Sequence, residues 1–167
     1  MRSVSICGAR LDVGAAAEEM QAMLAAAGQP VDGFLVQAMA PPGVEMLVGV
    51  VSDPQFGPVV ACGAGGVLVE LLKDVTVRLT PLGPDDARDM ITELKSCPLL
   101  TGYRGRPPAD VAALEDTLLR VSAMVEDLPQ IAELDCNPII VHERGATIVD
   151  ARVRVAPDVP PLHIATR

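Results

Sequence analysis

Short apolar runs rich in Val alternate along this chain with three longer stretches that read as helices. Gly14 to Ala27 is alanine-rich, places Met20, Met23 and Leu24 at helical spacing and stops at Gly28, so it predicts a first helix with its methionines as core filler. Residues 3–7 read as a short strand, which would need a partner. Phe34–Gln37, Val44–Ser52 and Val59–Cys62 predict three strands with short connections, an antiparallel meander, and Asp53-Pro54-Gln55-Phe56-Gly57-Pro58 supplies one turn. After Gly63-Ala64-Gly65-Gly66, the runs Val67–Leu72 and Val75–Leu79 again read as strands. Pro84-Asp85-Asp86 opens a helix running to about Lys95, with proline early and acids in the first turn. Leu99–Pro108 is a loop containing Tyr103-Arg104-Gly105-Arg106. Asp110 then caps a helix to about Glu126, whose stripe is Val111, Leu114, Leu118, Val121 and Val125. A closing hairpin turns at His142-Glu143-Arg144-Gly145, and residues 157–167 read as a proline-rich tail. No internal repeat is present.

Composition narrows the classes. The 167 residues suit one domain, and an apolar content of 50% excludes a disordered segment. Aromatic residues are only 2%, so base stacking has almost no side chains to use, and the net charge of -9 opposes binding to nucleic acid or to an anionic membrane surface. A nucleotide is still admissible, because local amides, basic side chains and Mg²⁺ outweigh global charge at short range. Cys7, Cys62, Cys97 and Cys136 lack zinc-site spacing, and reduced thiols in a cytoplasmic protein are the simpler reading. No run approaches the about 20 apolar residues that span a bilayer, and Asp12 with Glu18-Glu19 interrupts any signal-peptide core.

The richest chemistry lies in the closing hairpin. In Glu133-Leu134-Asp135-Cys136-Asn137-Pro138, alternation sends Glu133, Asp135 and Asn137 to one face, which Asp150 and Arg152 can share on the returning strand. Three carboxylates and an amide there suit a hard cation such as Mg²⁺, with phosphate oxygens and water completing its shell. The same letters also spell a turn-opening Asn-Pro with an Asp that bonds backbone amides, and the local pattern leaves both readings open. The Gly63–Gly66 loop lacks both Rossmann and Walker spacing and fits a bulge or tight turn equally well. On a continuous strand, Glu70, Leu72, Asp74, Thr76 and Arg78 would share a face that is either solvated or offers Glu70 and Arg78 to a sugar and phosphates. Glu45, an acid in an apolar strand, is either an ordinary outward residue or an acceptor for ribose hydroxyls. His142 and His163 lie near no nucleophile, and neither is assigned a catalytic role.

Together, residues 4 to 155 resemble the ATP-grasp domain of the NDP-forming acyl-CoA synthetases, which include ADP-forming acetyl-CoA synthetase and, more distantly, the succinyl-CoA synthetase β subunit. The resemblance rests on Gly33–Met39, Gly43–Glu45 with Val48–Val50, Asp53–Val60, Gly65-Gly66 with Glu70, Lys73–Arg78, Gly102–Gly105, Glu133–Pro138 and Asp150–Arg152, in order and spacing. It implies an α/β chain of α+β type, the C-terminal ATP-grasp subdomain, with a mostly antiparallel sheet and packed helices. It also implies ATP or another nucleoside triphosphate, together with Mg²⁺. On this resemblance the backbone of Gln37, Ala38 and Met39 is the adenine hinge, and Glu45 is a nucleotide contact. Gly65 and Gly66 are the turn near the phosphates. Asn137 and Asp150 are the Mg²⁺ ligands, with Asp135 a candidate third.

The departures are equally specific. No Lys precedes Lys73, so the family's upstream phosphate-binding Lys is missing, as are the phosphate-relay His and the CoA-binding domains. Residues 1–156 are therefore expected to be a partial ATP-grasp domain, a split subunit or a fragment of a larger ligase. Its expected partners are the upstream half and a CoA-binding subunit or domain. It would contribute to nucleotide-driven acyl-CoA formation and be inactive alone. A non-catalytic nucleotide- or partner-binding regulatory module, or a fragment that dimerises, are the alternatives.

Overall fold

A computed structural model describes residues 12–66 and 73–157. The chain forms two compact units, divided between Met39 and Ala40. In the first unit, α1 spans Val13–Ala26 and the Asp12 side chain accepts from the Ala15 amide at 3.0 Å. Gly28 follows at φ +67°, a value that suits glycine just past a helix end. Phe34–Gln37 form no strand, contrary to the sequence expectation. No strand among the described residues pairs with them, and Leu35 is 83% exposed. An apolar run becomes a strand only where a ladder can take its amides and carbonyls.

The second unit is an antiparallel sheet with helices on one face. Its strands are β1 (Val44–Asp53), β2 (Gly57–Ala64), β3 (Val75–Leu79), β4 (Ile131–Val141), β5 (Ala146–Ile148) and β6 (Ala151–Val155). Their order is β3-β2-β1-β4-β5, and β6 also pairs with β4. The meander is thus β1-β2-β3. The turn between β1 and β2 is built as its sequence suggests: Asp53 accepts from the Gln55 and Phe56 amides at 2.7 and 3.0 Å, and Gly57 takes φ +81°. The sequence-predicted strands at residues 3–7 and 67–72, Glu70 and nearly all of the tail lie outside the described residues.

The helices are α2 (Pro84–Thr92), α3 (Cys97–Thr101) and α4 (Val111–Asp127). Leu114, Leu118, Val121 and Val125 of α4 pack with Met90 and Ile91 of α2 onto Met46, Val48, Val50, Val60 and Cys62 of the sheet. Each fully buried aliphatic chain contributes about 1.5–3 kcal/mol. The expected helix to Lys95 stops at Thr92, because buried Asp74 accepts from the Lys95 and Ser96 amides at 2.9 and 2.7 Å and holds the chain in a turn. The short α3 occupies the start of what reads as loop in the sequence.

The opposite, outer face of the sheet is divided in two. Toward β3 it is apolar, with Val51, Val75, Val77 and Leu79 exposed. Toward β6 it is charged: Glu133 lies opposite Arg154, and Asp135 opposite Arg152.

Candidate functional site

Three elements place the hairpin cluster. β4 alternates as expected up to Asn137, with Leu134 and Cys136 buried and Glu133 and Asp135 exposed. Beyond Pro138 the buried positions become Ile139 and Val141. The change of parity is a bulge against β1, where Val48 faces Cys136 but Met46 faces Ile139. Asn137 sits at this irregularity, and its backbone N–H donates to the Asp150 backbone carbonyl at 3.2 Å. Asp150 lies in the break between β5 and β6. Asp135 belongs to the next outward position along the strand. Burial, and then the charges of Asp135 and Asp150, push the Cys136 thiol upward, so both carboxylates are within electrostatic reach of one sulfur.

Glu133 does not join them. Its carboxylate bonds the Arg154 guanidinium at 2.7 Å, and that hydrogen bond leads the causes holding the Glu133 carboxyl below its ordinary value. Asp150 has only a loose contact with Arg152, at 3.8 Å, and Asp135 has no ion pair among the described residues. Among the described residues no group of three or more His, Cys, Asp or Glu could hold a metal by itself. What remains is two exposed carboxylates and an amide, all hard oxygen donors. That set fits Mg²⁺, which takes one or two carboxylates and leaves its other positions to phosphate and water.

Glu45 is an exposed residue of β1, next to Gly65 and Gly66 at the end of β2. The Gly65 amide donates to the Glu45 carbonyl at 2.8 Å, and a Cβ on Gly65 would lie 2.8 Å from backbone atoms of Glu45 and Met46. Gly66, at φ +63°, lies directly beneath the Glu45 carboxylate. Gly65 is therefore required by the close approach of the β1 backbone, and Gly66 by its left-handed conformation. Glu45, Gly65, Leu99, Tyr103, Arg104 and Arg106 line an open cavity of about 470 Å³ at this end of the sheet.

Gln37, Ala38 and Met39 form an exposed, irregular segment of the first unit. Asp74, Thr76 and Arg78 lie on the helix side of β3: the Thr76 hydroxyl donates to the Met90 carbonyl at 2.8 Å, and the partly exposed Arg78 pairs with Glu93 at 2.6 Å. His142 bridges the Pro42 carbonyl and the Thr147 hydroxyl, at 3.3 and 2.9 Å, as a structural residue. The arginines of the α3–α4 loop were legible as a motif but not as part of a site, because their neighbours in space are about 40 to 60 residues away in sequence. Among the described residues no helix is long and apolar enough to cross a membrane.

The profile of the ATP-grasp domain family matches residues 8–155. The β subunit of acetate–CoA ligase [ADP-forming] II from Pyrococcus furiosus is 50% identical over 124 residues, which are 72% of this chain and 52% of that protein. The chain thus spans about half the length of that relative. The dinucleotide-forming acetyl-coenzyme A synthetase 1 of Ca. Korarchaeum cryptofilum, solved with coenzyme A, Ca-AMPCP and HgCl⁺, superposes with a TM-score of 0.75 at 43% identity, covering 85% of this chain and 63% of that one. Its selenomethionine form with coenzyme A and Mg-AMPPCP gives 0.72 at 38% identity, over 92% and 75%. The antiparallel sheet with its packed helices is therefore the C-terminal part of an ATP-grasp domain, and the chain belongs to the ATP-grasp family, in the branch of the ADP-forming acyl-CoA synthetases.

Proposed function

We propose that this chain supplies the ATP- and Mg²⁺-binding part of an NDP-forming acid–CoA ligase, which couples nucleotide phosphoryl transfer to formation of an acyl-CoA thioester. The observation that carries the reading is the backbone hydrogen bond that joins Asn137 to Asp150, flanked by Asp135, at the bulge of β4 against β1, in a sheet whose outer face also bears Glu45. The related synthetase solved with Mg-AMPPCP supports nucleotide and Mg²⁺ as the ligands. Asp135, Asn137 and Asp150 would hold the cation, which offsets phosphate charge and orients the transferred group. Glu45 would accept hydrogen bonds from ribose hydroxyls. Gly65 and Gly66 would let phosphates approach the backbone, and the backbone at Gln37, Ala38 and Met39 would bind adenine.

The chain acts, on this reading, with an upstream ATP-grasp half and a CoA-binding subunit or domain, and residues 1–156 are its share of the ATP-grasp domain. The exposed apolar half of the outer face, Val51, Val75, Val77 and Leu79, supports a partner, since patches of this kind mark interaction surfaces. A cytoplasmic location follows from ATP and CoA as co-substrates.

Calorimetric titration with ATP, with and without Mg²⁺, tests the assignment. Binding is expected only with Mg²⁺, and the Asn137→Ala/Asp150→Ala variant should lose at least about tenfold in affinity while its melting curve stays in place. Unchanged affinity in that variant sinks the metal assignment. No heat from the folded protein in either condition sinks the reading that this chain binds nucleotide by itself.

A further inference from the structure

Arg78, Arg88, Arg120, Arg152 and Arg154 each lie against a carboxylate. Among the described residues Arg104, Arg106 and Arg144 do not, and two of these three line one cavity. The loop that carries them is shaped with some care. Gly102 and Gly105 take φ +101° and +79°, and Arg104 itself takes φ +52°. A left-handed non-glycine residue costs on the order of 1 kcal/mol, and such outliers concentrate where a side chain must be aimed. The Arg104 guanidinium carbon sits 5.4 Å from the Tyr103 ring centroid, a stacking contact that limits its freedom. The loop is closed at its base by the Arg106 amide on the Tyr103 carbonyl, 3.2 Å, and by the Ala109 amide on the Leu100 carbonyl, 2.8 Å.

The facing wall is of opposite charge. Glu45 lines the same cavity, yet no ion pair joins it to either arginine among the described residues, so the space between them is open. We infer that Arg104 and Arg106 form a phosphate-binding site, with Glu45 across the cavity accepting a hydroxyl of the same ligand. A guanidinium presents a planar fork of donors that matches phosphate oxygens bidentately, and two forks exceed what a carboxylate needs. The open cavity has room for a phosphate carried on a larger group. That group is either the nucleotide or a phosphorylated segment of a partner. The inference rests on the nucleotide reading only for the first of these sources.

The test is a ³¹P NMR titration of inorganic phosphate with the full chain at low ionic strength. The wild type is expected to shift and broaden the phosphate signal. Arg104→Gln/Arg106→Gln should weaken that binding at least about tenfold, with Arg104→Lys/Arg106→Lys intermediate because an ammonium lacks the fork. Arg144→Gln should keep it. No phosphate binding by the wild type overturns the inference, as does wild-type affinity in the double glutamine variant or an equal loss in Arg144→Gln. Circular dichroism of the double variant verifies that it is folded, as expected for two exposed side chains. Calorimetry with Mg-ATP then separates the sources: a loss in the double variant identifies the nucleotide's phosphate, and no loss a phosphate carried by a partner. If phosphate binds and Mg-ATP does not, this site stands and the nucleotide reading falls.

Discussion

Replacing Asp74 by asparagine tests how the helical layer is tied to the sheet. Asp74 is 5% exposed, and its two carboxylate oxygens accept from successive amides, Lys95 at 2.9 Å and Ser96 at 2.7 Å. Asparagine keeps one acceptor oxygen and turns an amino group toward the other N–H, so one charge-assisted hydrogen bond is lost and the second loses its charge. Such bonds contribute about 1.5–3 kcal/mol each, and the expected destabilisation is about 2–3 kcal/mol. For a chain of this size that lowers the melting midpoint by roughly 4–12 °C. The acid limb gives an independent reading. Burial works to raise the Asp74 carboxyl, but hydrogen bonds from Ser96 and Lys95 and the Lys95 charge outweigh it and hold it below its ordinary value. A carboxylate depressed in the folded state contributes stability that is fully present above its unfolded value, about 3.9, and is lost as pH falls through the folded one. The wild type should therefore lose an increment of stability below about pH 4 that Asp74→Asn does not. Urea unfolding of both proteins at pH 7 and pH 3 measures it. A loss under about 0.5 kcal/mol at pH 7, or identical acid limbs, would refute the assignment of Asp74 as the anchor of this turn.

Two further predictions concern the site end of the sheet and the cysteines. Gly65→Ala forces a Cβ to within 2.8 Å of the β1 backbone, which a side-chain rotation cannot relieve, so it should cost about 1–3 kcal/mol in urea unfolding and speed hydrogen exchange at the residue 65 amide. A variant as stable and as protected as the wild type would mean that the two strands are not in this register. Burial, and then the Asp74 charge, push the Cys62 thiol up to about 12, whereas Cys97 is only half-buried. Iodoacetamide followed by peptide mapping should therefore label Cys97 well before Cys62 in the folded protein, and equal rates would contradict the packing of β2 against the helices.

Much of this architecture is legible in the residues. The α4 stripe and its Asp110 cap, the Asp53 turn, and the shared face of Glu133, Asp135 and Asn137 all follow from period and side-chain chemistry. Phe34–Gln37 misleads, because its apolar letters carry no information about whether a partner strand exists. Arg78 and Glu133 mislead in another way. Each looks available for a ligand until the structure supplies Glu93 from α2 and Arg154 from β6. Local pattern gives the direction in which a side chain points, but not which distant residue has already claimed it.

The spacing of buried residues along β4 carries a further signal. The buried positions of β4 run 131, 134, 136, 139 and 141, with a step of three before 134 and another after 136. A strand with one buried face cannot make that step without an extra residue, since otherwise Ile139 and Val141 would point outward. The bulge against β1 is therefore written in the spacing from Cys136 to Ile139. Between Cys136 and Ile139 the pairing of β4 with β6 and β5 takes no such step, the irregularity against β6 lying between Ile131 and Glu133: Cys136 faces Ala151 and Ile139 faces Ile148, so the residues between stay in register. Strand β4 and its returning partner thus depart from β1 together. The departure falls where Asn137 meets Asp150 and where β6 and β5 separate. An irregularity shared by two strands is harder to lose than a single bulge, because removing a residue from β4 alone would repair its register with β1 while breaking its register with β5. The oxygen donors of the candidate cation site are thereby held at the step against β1, while the neighbouring charges Glu133 and Arg154, beside the irregularity against β6, pair with each other instead.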